Sequence, residues 1–466
     1  MSSQQDKTES KQTSVLFKAI DAEIPEMVKN AVFNSLHYDS RKIKPGSLFV
    51  AVRGFHFDGH DYLAQALEAG ATAAVVEEKD PAVKLPQIVV KDSRKAMAAL
   101  ASNFYKEQID TLLLAGITGT NGKTSTAFLL QSVLNAAELP AGLIGTIAYE
   151  VGGKKIPAWN TTPEAVDTCH LLHEMARSGS RAAVLEISSH ALALNRADGL
   201  AFDVAVFTNL TRDHLDFHKT EKAYFEAKAH LFSLLKKKGS AVLNIDNLFG
   251  RKLAHSISAK MVTYGFDAKA DVRIQNWSGS LSGLQIELNT GAGKLSLNSK
   301  LIGAFNVFNI TAAAAAGMAL GLDLDRIKQG IEKLEAVPGR LQVHSLKRDV
   351  NAVIDYAHTP DALEKALQAL REITPGRLIV LFGAGGDRDK GKRPLMGKAA
   401  EENADICIIT TDNPRTENPQ QIIGNILLGM ADKSKQIVIV DRREALQYAV
   451  QIAQSGDTIL IAGKGH

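Results

Sequence analysis

Several things this 466-residue chain has little of sort it early. It carries only two cysteines, Cys169 and Cys407, far apart and outside any C-x-x-C or Cys/His spacing. That excludes a zinc knuckle and a disulfide framework, and both thiols read as small apolar residues. No uninterrupted apolar run is long enough to cross a bilayer. The alanine-rich stretch 311–322 comes nearest, but it is short and weakly hydrophobic, so it reads as a helix packed inside a domain. Residues 1–14 are polar and mixed in charge, without the basic-then-apolar order of a secretory signal, and the chain is expected in the cytoplasm. The net charge is only +3 and no basic stripe interleaves with aromatics, which argues against a nucleic-acid partner. No short-period repeat is present.

What is there is globular: 45% hydrophobic and 23% charged residues in a chain longer than one core usually serves. Roughly two to four domains are expected. Residues 1–108 form a first unit with strands at 47–52 and 71–76 flanking a helix at 61–69. Strands at 111–117, 182–187, 202–207 and 241–245 then alternate with helices, the pattern of a parallel α/β sheet. Segment 272–302 alternates apolar and polar residues with Gly, Ser and Asn punctuation, which predicts short antiparallel strands appended to that sheet. A helix at 304–321 follows, and Pro338-Gly339 marks a second boundary. From there strands at 352–355, 378–382, 406–410, 437–440 and 458–462, with helices at 360–373 and 443–453, predict a doubly wound sheet. The fold expected is α/β with three domains, 1–108, 109–337 and 338–466.

The most telling string is Gly116-Ile-Thr-Gly-Thr-Asn-Gly-Lys-Thr124. It follows an apolar strand and opens a helix predicted to reach about residue 138. A strand, a glycine-rich turn and a helix N-terminus make a phosphate cradle, in which Lys123 reaches the outer phosphates and the Thr124 hydroxyl faces Mg²⁺. The general pattern would put its first glycine at Ile117, where the chain instead offers Gly116 and Gly119. Glu186-Ile-Ser-Ser-His190 and the 208–218 segment, with Asp213, His214, Asp216 and His218, sit where two further strands end. That density of titratable groups at the same sheet edge favours function, against the alternative of a structurally hydrogen-bonded histidine. Turns 383–386 and 412–415 end two strands of the C-terminal sheet, where such folds bind ligands.

Together with Asn160-Thr-Thr-Pro163, Asp355-Tyr-Ala-His358 and Gly463-Lys-Gly-His466, these strings resemble the Mur ligase superfamily of peptide-forming ATPases, in the expected order along the chain. Asp412-Asn-Pro-Arg415 resembles the meso-diaminopimelate-adding branch rather than the lysine-adding one. The resemblance implies an N-terminal domain gripping a UDP-sugar substrate, a central ATPase, and a C-terminal domain that swings closed carrying the amino-acid site. It implies that ATP phosphorylates the D-Glu γ-carboxylate of UDP-MurNAc-L-Ala-D-Glu to an acyl phosphate, which the amine of diaminopimelate captures. Mg²⁺ is implied as cofactor, no membrane as partner, and a monomer as the state.

Residue by residue, the resemblance implies nucleotide contacts from Gly119, Thr120, Asn121, Gly122, Lys123, Thr124 and Ser125, with Asn306 and Asn309 on the adenine side. Arg340 is implied to reach ATP phosphates on closure, with Asp355 in the same cleft. Thr124 and Glu186 would ligate the first Mg²⁺, and His214 a second. Lys228 matches a lysine carbamylated by CO₂ that bridges metal or orients the γ-phosphate; without the resemblance it reads as an exposed helical lysine. Ser40 and Arg41 look like the uridine-side turn, while Asn160, Thr161, Thr162, Ser188, Arg196 and His358 would hold the UDP-MurNAc-dipeptide. His60 either helps hold that domain's ligand or stabilises its own turn. Arg388, Asp412, Asn413, Arg415 and Gly463 would form the diaminopimelate pocket. Lysine lacks the distal carboxylate and would leave Arg415 unpaired, a mismatch that can discriminate by about 10⁴ to 10⁵. Alternatively the Asn-Pro turn is structural and Arg415 solvated. The family continues past the last string with a glutamate that contacts the amino acid's ammonium; this sequence stops at His466, its C-terminus either removed or not represented, and an incomplete pocket with impaired activity is the expectation. A folylpolyglutamate synthetase-like ligase is the nearer rival, disfavoured by the 160–162 and 412–415 strings. A P-loop regulatory switch is the rival from another class, disfavoured by the two flanking units.

Overall fold

The computed structural model describes residues 10–54, 57–211 and 213–464. The last two residues of the Gly463–His466 string, and Arg212 within the 208–218 segment, lie outside the described residues. Two compact units are distinguished, Met1–Lys123 with Glu138–Val262, and Thr124–Ala137 with Thr263–His466.

In the first unit, the N-terminal residues build a five-stranded sheet in the order Ala22–Glu23, Gln87–Val90, Ala73–Val76, Ser47–Val50, Ser35–His37. Its last four strands are parallel. The sequence reading found only the two most apolar of these, because strands of two to four residues carry too little periodicity to register. The predicted 61–69 helix is a 3₁₀ turn, Gly59–Tyr62, followed by Leu63–Glu68.

A second sheet in this unit runs parallel through Ala141–Ile144, Ala182–Glu186, Leu113–Thr118, Phe202–Phe207 and Leu235–Asn244. Near-continuous Val, Ile, Leu and Ala in the first four of these strands, and in the second half of Leu235–Asn244, reflects burial on both faces. The last strand starts earlier than the predicted 241, since Phe202 pairs with Leu235 and the register then shifts so that Val204 meets Ser240. The Lys236-Lys237-Lys238 run conceals that start, having no apolar alternation. A hairpin absent from the sequence reading, Ala148–Val151 with Lys154–Pro157, extends the sheet antiparallel. Its turn residues Gly152 and Gly153 both take positive φ, as a tight two-residue hairpin turn requires.

The second unit contains the helix Lys123–Ala136 from its second residue onward, packed through Val133 against Gly317 and Gly330. The predicted antiparallel segment is three strands, Val272–Ser280, Gly283–Thr290 and Gly293–Ser299, whose alternate residues are buried. The alanine-rich helix is Phe305–Ala319, buried along most of its length. The C-terminal sheet has the order Gln342–Leu346, Val350–Asp355, Thr458–Ala462, Leu378–Phe382, Ile406–Ile409, Gln436–Val438, parallel except for its first pair. Besides the predicted helices, Lys392–Asn403 and Pro419–Leu427 cover it. Among the described residues no helix is long and apolar enough to cross a membrane. Cys169 and Cys407 are buried free thiols.

Candidate active site

Parallel registry decides what meets at the sheet edge of the first unit. Glu186 lies beside Ile117, and Phe207 beside Thr118, so three strands end level with the glycine-rich turn. The turn is latched to the 208–211 segment. Thr120 N–H donates to the Asn209 carbonyl at 2.9 Å, Asn121 N–H to Asn209 Oδ1 at 3.0 Å, and Thr208 Oγ1 to the Asn121 carbonyl at 2.6 Å. Gly119 has φ +153°, and a Cβ there would stand 1.9 Å from Thr208 Oγ1, so only glycine fits. Gly116, the offset glycine, lies in the strand, where a Cβ would press on Phe202 and Leu231.

Lys123 Nζ donates to the carbonyls of Gly119 and Thr120, at 2.8 and 2.9 Å. Lys228 also donates to the Gly119 carbonyl, at 2.8 Å. It is 1% exposed, with its Nζ 4.6 Å from the centroid of Tyr224, which corrects the reading of an exposed helical lysine. Burial first, then the Lys123 charge, holds its pKa well below the usual lysine value. Tyr224, one helical turn earlier, bonds its hydroxyl to Thr120 Oγ1 at 3.0 Å, and burial pushes that phenol up to about 12.

Glu186 is fully buried. Its carboxylate accepts from Thr146 N–H at 2.9 Å and Thr146 Oγ1 at 3.2 Å, while a Cβ on Gly145 would collide with it. His214 sits in the left-handed region, φ +53°, before the short helix Leu215–His218, with Nε2 3.5 Å from Asp213 and its ring edge-on to His190 at 4.8 Å. Burial lowers its pKa, Asp213 opposing and Lys123 adding to the shift. His218 bonds Ser189 Oγ at 3.0 Å, and burial followed by repulsion from His190 takes it down to about 4.

Mg²⁺ takes oxygen ligands in preference to others. Among the described residues no group of three or more His, Cys, Asp or Glu is placed to hold a metal ion alone. Within the first unit Glu186 nonetheless suits that ion, presenting a buried carboxylate at a strand end.

The remaining expected contacts fall into distinct environments. Thr162 Oγ1 donates to the Glu186 carbonyl at 2.8 Å and accepts from Ser188 N–H at 3.1 Å, pinning the 160–163 loop to a strand end. Thr161 Oγ1 lies 3.1 Å from Thr146 Oγ1, and the Asn160 backbone brackets the Tyr149 hydroxyl. Ser188 caps the Ser189–Ala193 helix. Arg196 donates to the Thr162 carbonyl at 3.1 Å and pairs with Glu164 at 2.9 Å, and its Nε is buried without an acceptor among the described residues. Arg41 is exposed and folds back on Asp39, while Ser40 Oγ bonds Gln65. His60 uses both ring nitrogens internally, toward Asp58 at 2.6 Å and Glu77 N–H at 3.0 Å, which is the turn-stabilising arrangement.

In the second unit, Arg340 Nη2 lies 3.5 Å from Thr124 Oγ1, and Ser125 is buried next to it in the helix. Asp355 is buried and spends both oxygens on backbone N–H groups, of Leu341 and Ala357, each at 2.8 Å, so it positions the Arg340 turn. Burial raises its pKa against those hydrogen bonds. Asn306 and Asn309 are buried and linked, Asn309 Nδ2 to Asn306 Oδ1 and Asn306 Nδ2 to the Ile302 carbonyl, both at 2.8 Å. His358 Nδ1 bonds the Tyr356 carbonyl. Arg388, Asn413 and Arg415 are exposed on turns 383–388 and 412–417, with Asp412 half-buried. A Cβ on Gly463 would come 3.6 Å from Asp412 Oδ2.

Thr146, Tyr224, Asn209 and Glu164 complete these arrangements and were not singled out from sequence. Tyr224 had a signal, being four residues before Lys228 on one helical face. Thr146 and Glu164 had none, since their partners lie on other strands and loops.

Three stretches match models of known families: residues 117–317 the Mur ligase middle domain, 339–465 the Mur ligase glutamate ligase domain, and 32–105 the Mur ligase family catalytic domain. The chain is 44% identical over 457 residues to the UDP-N-acetylmuramoyl-L-alanyl-D-glutamate--2,6-diaminopimelate ligase of Geobacter metallireducens, covering 92% of this chain and 89% of that one. It is 43% identical to the ligase of the same name from Geobacillus thermodenitrificans, covering 93% and 90%. A solved structure of a ligase of that name superposes with a TM-score of 0.73 at 35% identity, over 95% of this chain and 92% of that one. Mycobacterium tuberculosis folylpolyglutamate synthase in complex with ADP and AMPPCP shares the fold, with a TM-score of 0.63 at 18% identity over 79% and 92% of the two chains.

Proposed function

Since the chain belongs to the Mur ligase family, we propose that it is the ATP-dependent ligase that adds meso-2,6-diaminopimelate to the D-Glu γ-carboxylate of UDP-N-acetylmuramoyl-L-alanyl-D-glutamate, in cytoplasmic peptidoglycan precursor synthesis. The observation that carries this reading is the pairing of Lys123 and Lys228 on the Gly119 carbonyl beside the buried Glu186. It concentrates what phosphoryl transfer to a carboxylate requires at one sheet edge.

A carboxylate is a poor electrophile. Its oxygen attacks the γ-phosphorus of ATP, ADP leaves, and the resulting acyl phosphate is open to the amine, whose attack forms the amide and releases inorganic phosphate. The reacting groups are both anionic, so catalysis rests on positioning and on charge neutralisation. Lys123 holds the outer phosphates, and the backbone N–H groups of Gly122, Lys123 and Thr124 cradle them, those of Thr120 and Asn121 being spent on Asn209. Thr124, Glu186 and His214 would hold Mg²⁺, which neutralises phosphate charge when bound. Lys228, whose pKa burial lowers, is suited to take up CO₂: its amine nitrogen bonds the carbon, a proton leaves, and the carbamate anion orients the γ-phosphate. Asn306 and Asn309 are assigned to the adenine side and Arg340 to the phosphates, with Asp355 positioning the Arg340 turn.

Three functional domains, 1–108, 109–337 and 338–466, are supported by the family matches at 32–105, 117–317 and 339–465. The UDP-MurNAc-dipeptide is assigned to Ser40, Arg41, Asn160, Thr161, Thr162, Ser188, Arg196 and His358. Thr162 serves through backbone anchoring. Arg388, Asp412, Asn413, Arg415 and Gly463 are assigned to the diamino acid, and the enzyme is assigned as a monomer. Phosphate release measured with ATP, Mg²⁺, the nucleotide-sugar dipeptide and either diaminopimelate or lysine tests the reading. Release that depends on the sugar substrate and on diaminopimelate supports it; release with neither dependence, or with lysine preferred, overturns it.

A further inference from the structure

Two turns of the C-terminal sheet, residues 383–388 and 412–417, are stitched together, with Arg388 and Arg415 exposed on them. Gly386 N–H donates to the Asn413 carbonyl at 2.8 Å, and a Cβ on Gly386 would lie 1.8 Å from the Pro414 carbonyl oxygen, so the turns touch backbone to backbone. Asp387 and Arg415 both adopt left-handed backbone, φ +52° and +51°, a region that costs a non-glycine residue energy, Arg more than Asp. Thr416 supplies part of what holds the turns, its Oγ1 donating to Asp387 Oδ1 at 2.7 Å and its N–H to Asp387 Oδ2 at 3.2 Å.

The rest comes from below. Arg393, in the first turn of the Lys392–Asn403 helix, is 1% exposed, and its guanidinium grips Glu417 with two prongs: Nη2 to Oε1 at 2.7 Å and Nη1 to Oε2 at 3.0 Å. The same Glu417 Oε1 accepts Asp387 N–H at 2.6 Å. Longer contacts run from Arg393 to the Gly385 carbonyl and Asn425 Oδ1, each at 3.4 Å, and from Lys390 to Glu417 at 3.6 Å. Thus one buried cation holds one carboxylate, and that carboxylate holds the backbone of the residue immediately before Arg388. A planar guanidinium is the side chain that can do this with fixed geometry.

We infer that Arg393 and Glu417 form a positioning clamp that sets the separation of Arg388 and Arg415, and thereby the selection of a diamino acid bearing a distal carboxylate. The clamp touches no substrate atom and acts through the two turns. It rests on the assignment of Arg388 and Arg415 to the diamino-acid pocket made above. A pocket that selects by paired hydrogen bonds loses selectivity when its donors shift by a fraction of an ångström, since misplacement by about 1 Å costs on the order of 10²-fold.

Arg393→Lys keeps the charge but not the second prong. Glu417→Gln keeps an acceptor for Asp387 N–H but not the charge, and Glu417→Ala removes both. The full-length protein and these variants are assayed for KM and kcat with diaminopimelate, for the ratio of diaminopimelate to lysine use, for ADP affinity and for Tm. The expected result is a rise in KM for diaminopimelate of about 10-fold to 100-fold, larger for Glu417→Ala than for Glu417→Gln. The preference over lysine should narrow in step, with ADP affinity within about twofold of the parent. A parallel loss of ADP affinity, nucleotide-sugar KM and Tm shows a merely structural pair and overturns the inference, as does an unchanged preference ratio. A parent protein that does not use diaminopimelate overturns the function reading first, and this inference with it.

Discussion

Lys123 and Lys228 donate to one acceptor, each Nζ lying 2.8 Å from the Gly119 carbonyl oxygen. Burial, with repulsion from the Lys123 charge adding to it, holds the Lys228 pKa well below the usual lysine value and so favours its neutral amine. Lys228→Ala should therefore lower kcat/KM by about 100-fold or more, as loss of a group that orients the transferred γ-phosphate does. ADP affinity should stay near the parent value, and formate or acetate should restore part of the rate. Carbon-13 NMR of protein equilibrated with labelled CO₂ should show a carbamate signal that the variant lacks. A fully active Lys228→Ala protein would remove Lys228 from the chemistry.

The turn that carries that carbonyl tolerates no side chain at its apex. Gly119→Ala places a methyl 1.9 Å from Thr208 Oγ1 at a φ of +153°. Strain on the order of 1–3 kcal/mol is expected to be relieved by deforming the turn, weakening ADP binding by tenfold or more, since about 1.4 kcal/mol is tenfold. Isothermal titration of ADP reads this directly. Adding Thr208→Ala removes the clashing oxygen and should recover part of the affinity, but not all, because that hydroxyl also bonds the Asn121 carbonyl. Undiminished binding in the single variant would contradict the geometry.

Much of this was legible from the chain, and the exceptions have physical causes. The glycine turn, the strand-end carboxylate Glu186 and the C-terminal βα alternation were readable because local chemistry and apolar runs announce them. Lys228 looked exposed because Lys222 and Glu226 share its helix, yet Tyr224, Lys228 and Leu231 follow the i, i+4, i+7 spacing of a buried face, and all three are buried. Thr146, Glu164, Arg393 and Glu417 were out of reach, since each acts through a partner brought near only by the fold. Asp355 was readable as a strand-end carboxylate, whereas its role as a backbone anchor needed the Leu341 and Ala357 distances.

Arg415 tests the specificity assignment from the substrate side. It is exposed on its turn, so Arg415→Ala should leave Tm within a degree or two, a surface change being worth about 0.5 kcal/mol or less. Use of diaminopimelate should fall by 10²-fold or more while ATP binding holds, because a site built to pair a polar group discriminates by about 10⁴ to 10⁵. Equal losses for diaminopimelate and ATP, measured as separate KM values, would place Arg415 outside the pocket.

Away from the site, His230 and Asp198 give a pH-dependent contribution whose sign can be worked out. Their side chains meet at 2.8 Å, and Asp198 also accepts from Asn195 Nδ2 at 2.8 Å. The hydrogen bond to Asp198 raises the His230 pKa above 6.5, burial opposing it. Burial would raise the Asp198 pKa, but the bonds from His230 and Asn195 outweigh it and hold it below 3.8. A raised histidine pKa stabilises the folded state fully below the unfolded value of 6.5, and that contribution fades as pH climbs through the folded value. A depressed carboxylate contributes above 3.8 and fades as pH falls through its folded value. The pair thus contributes most between these limits. His230→Gln should lower Tm relative to the parent at pH 5.5, with the gap closing as pH is taken toward 9. Melting curves across that range decide it: a gap that stays constant or widens with rising pH would show that the imidazolium is not what Asp198 holds.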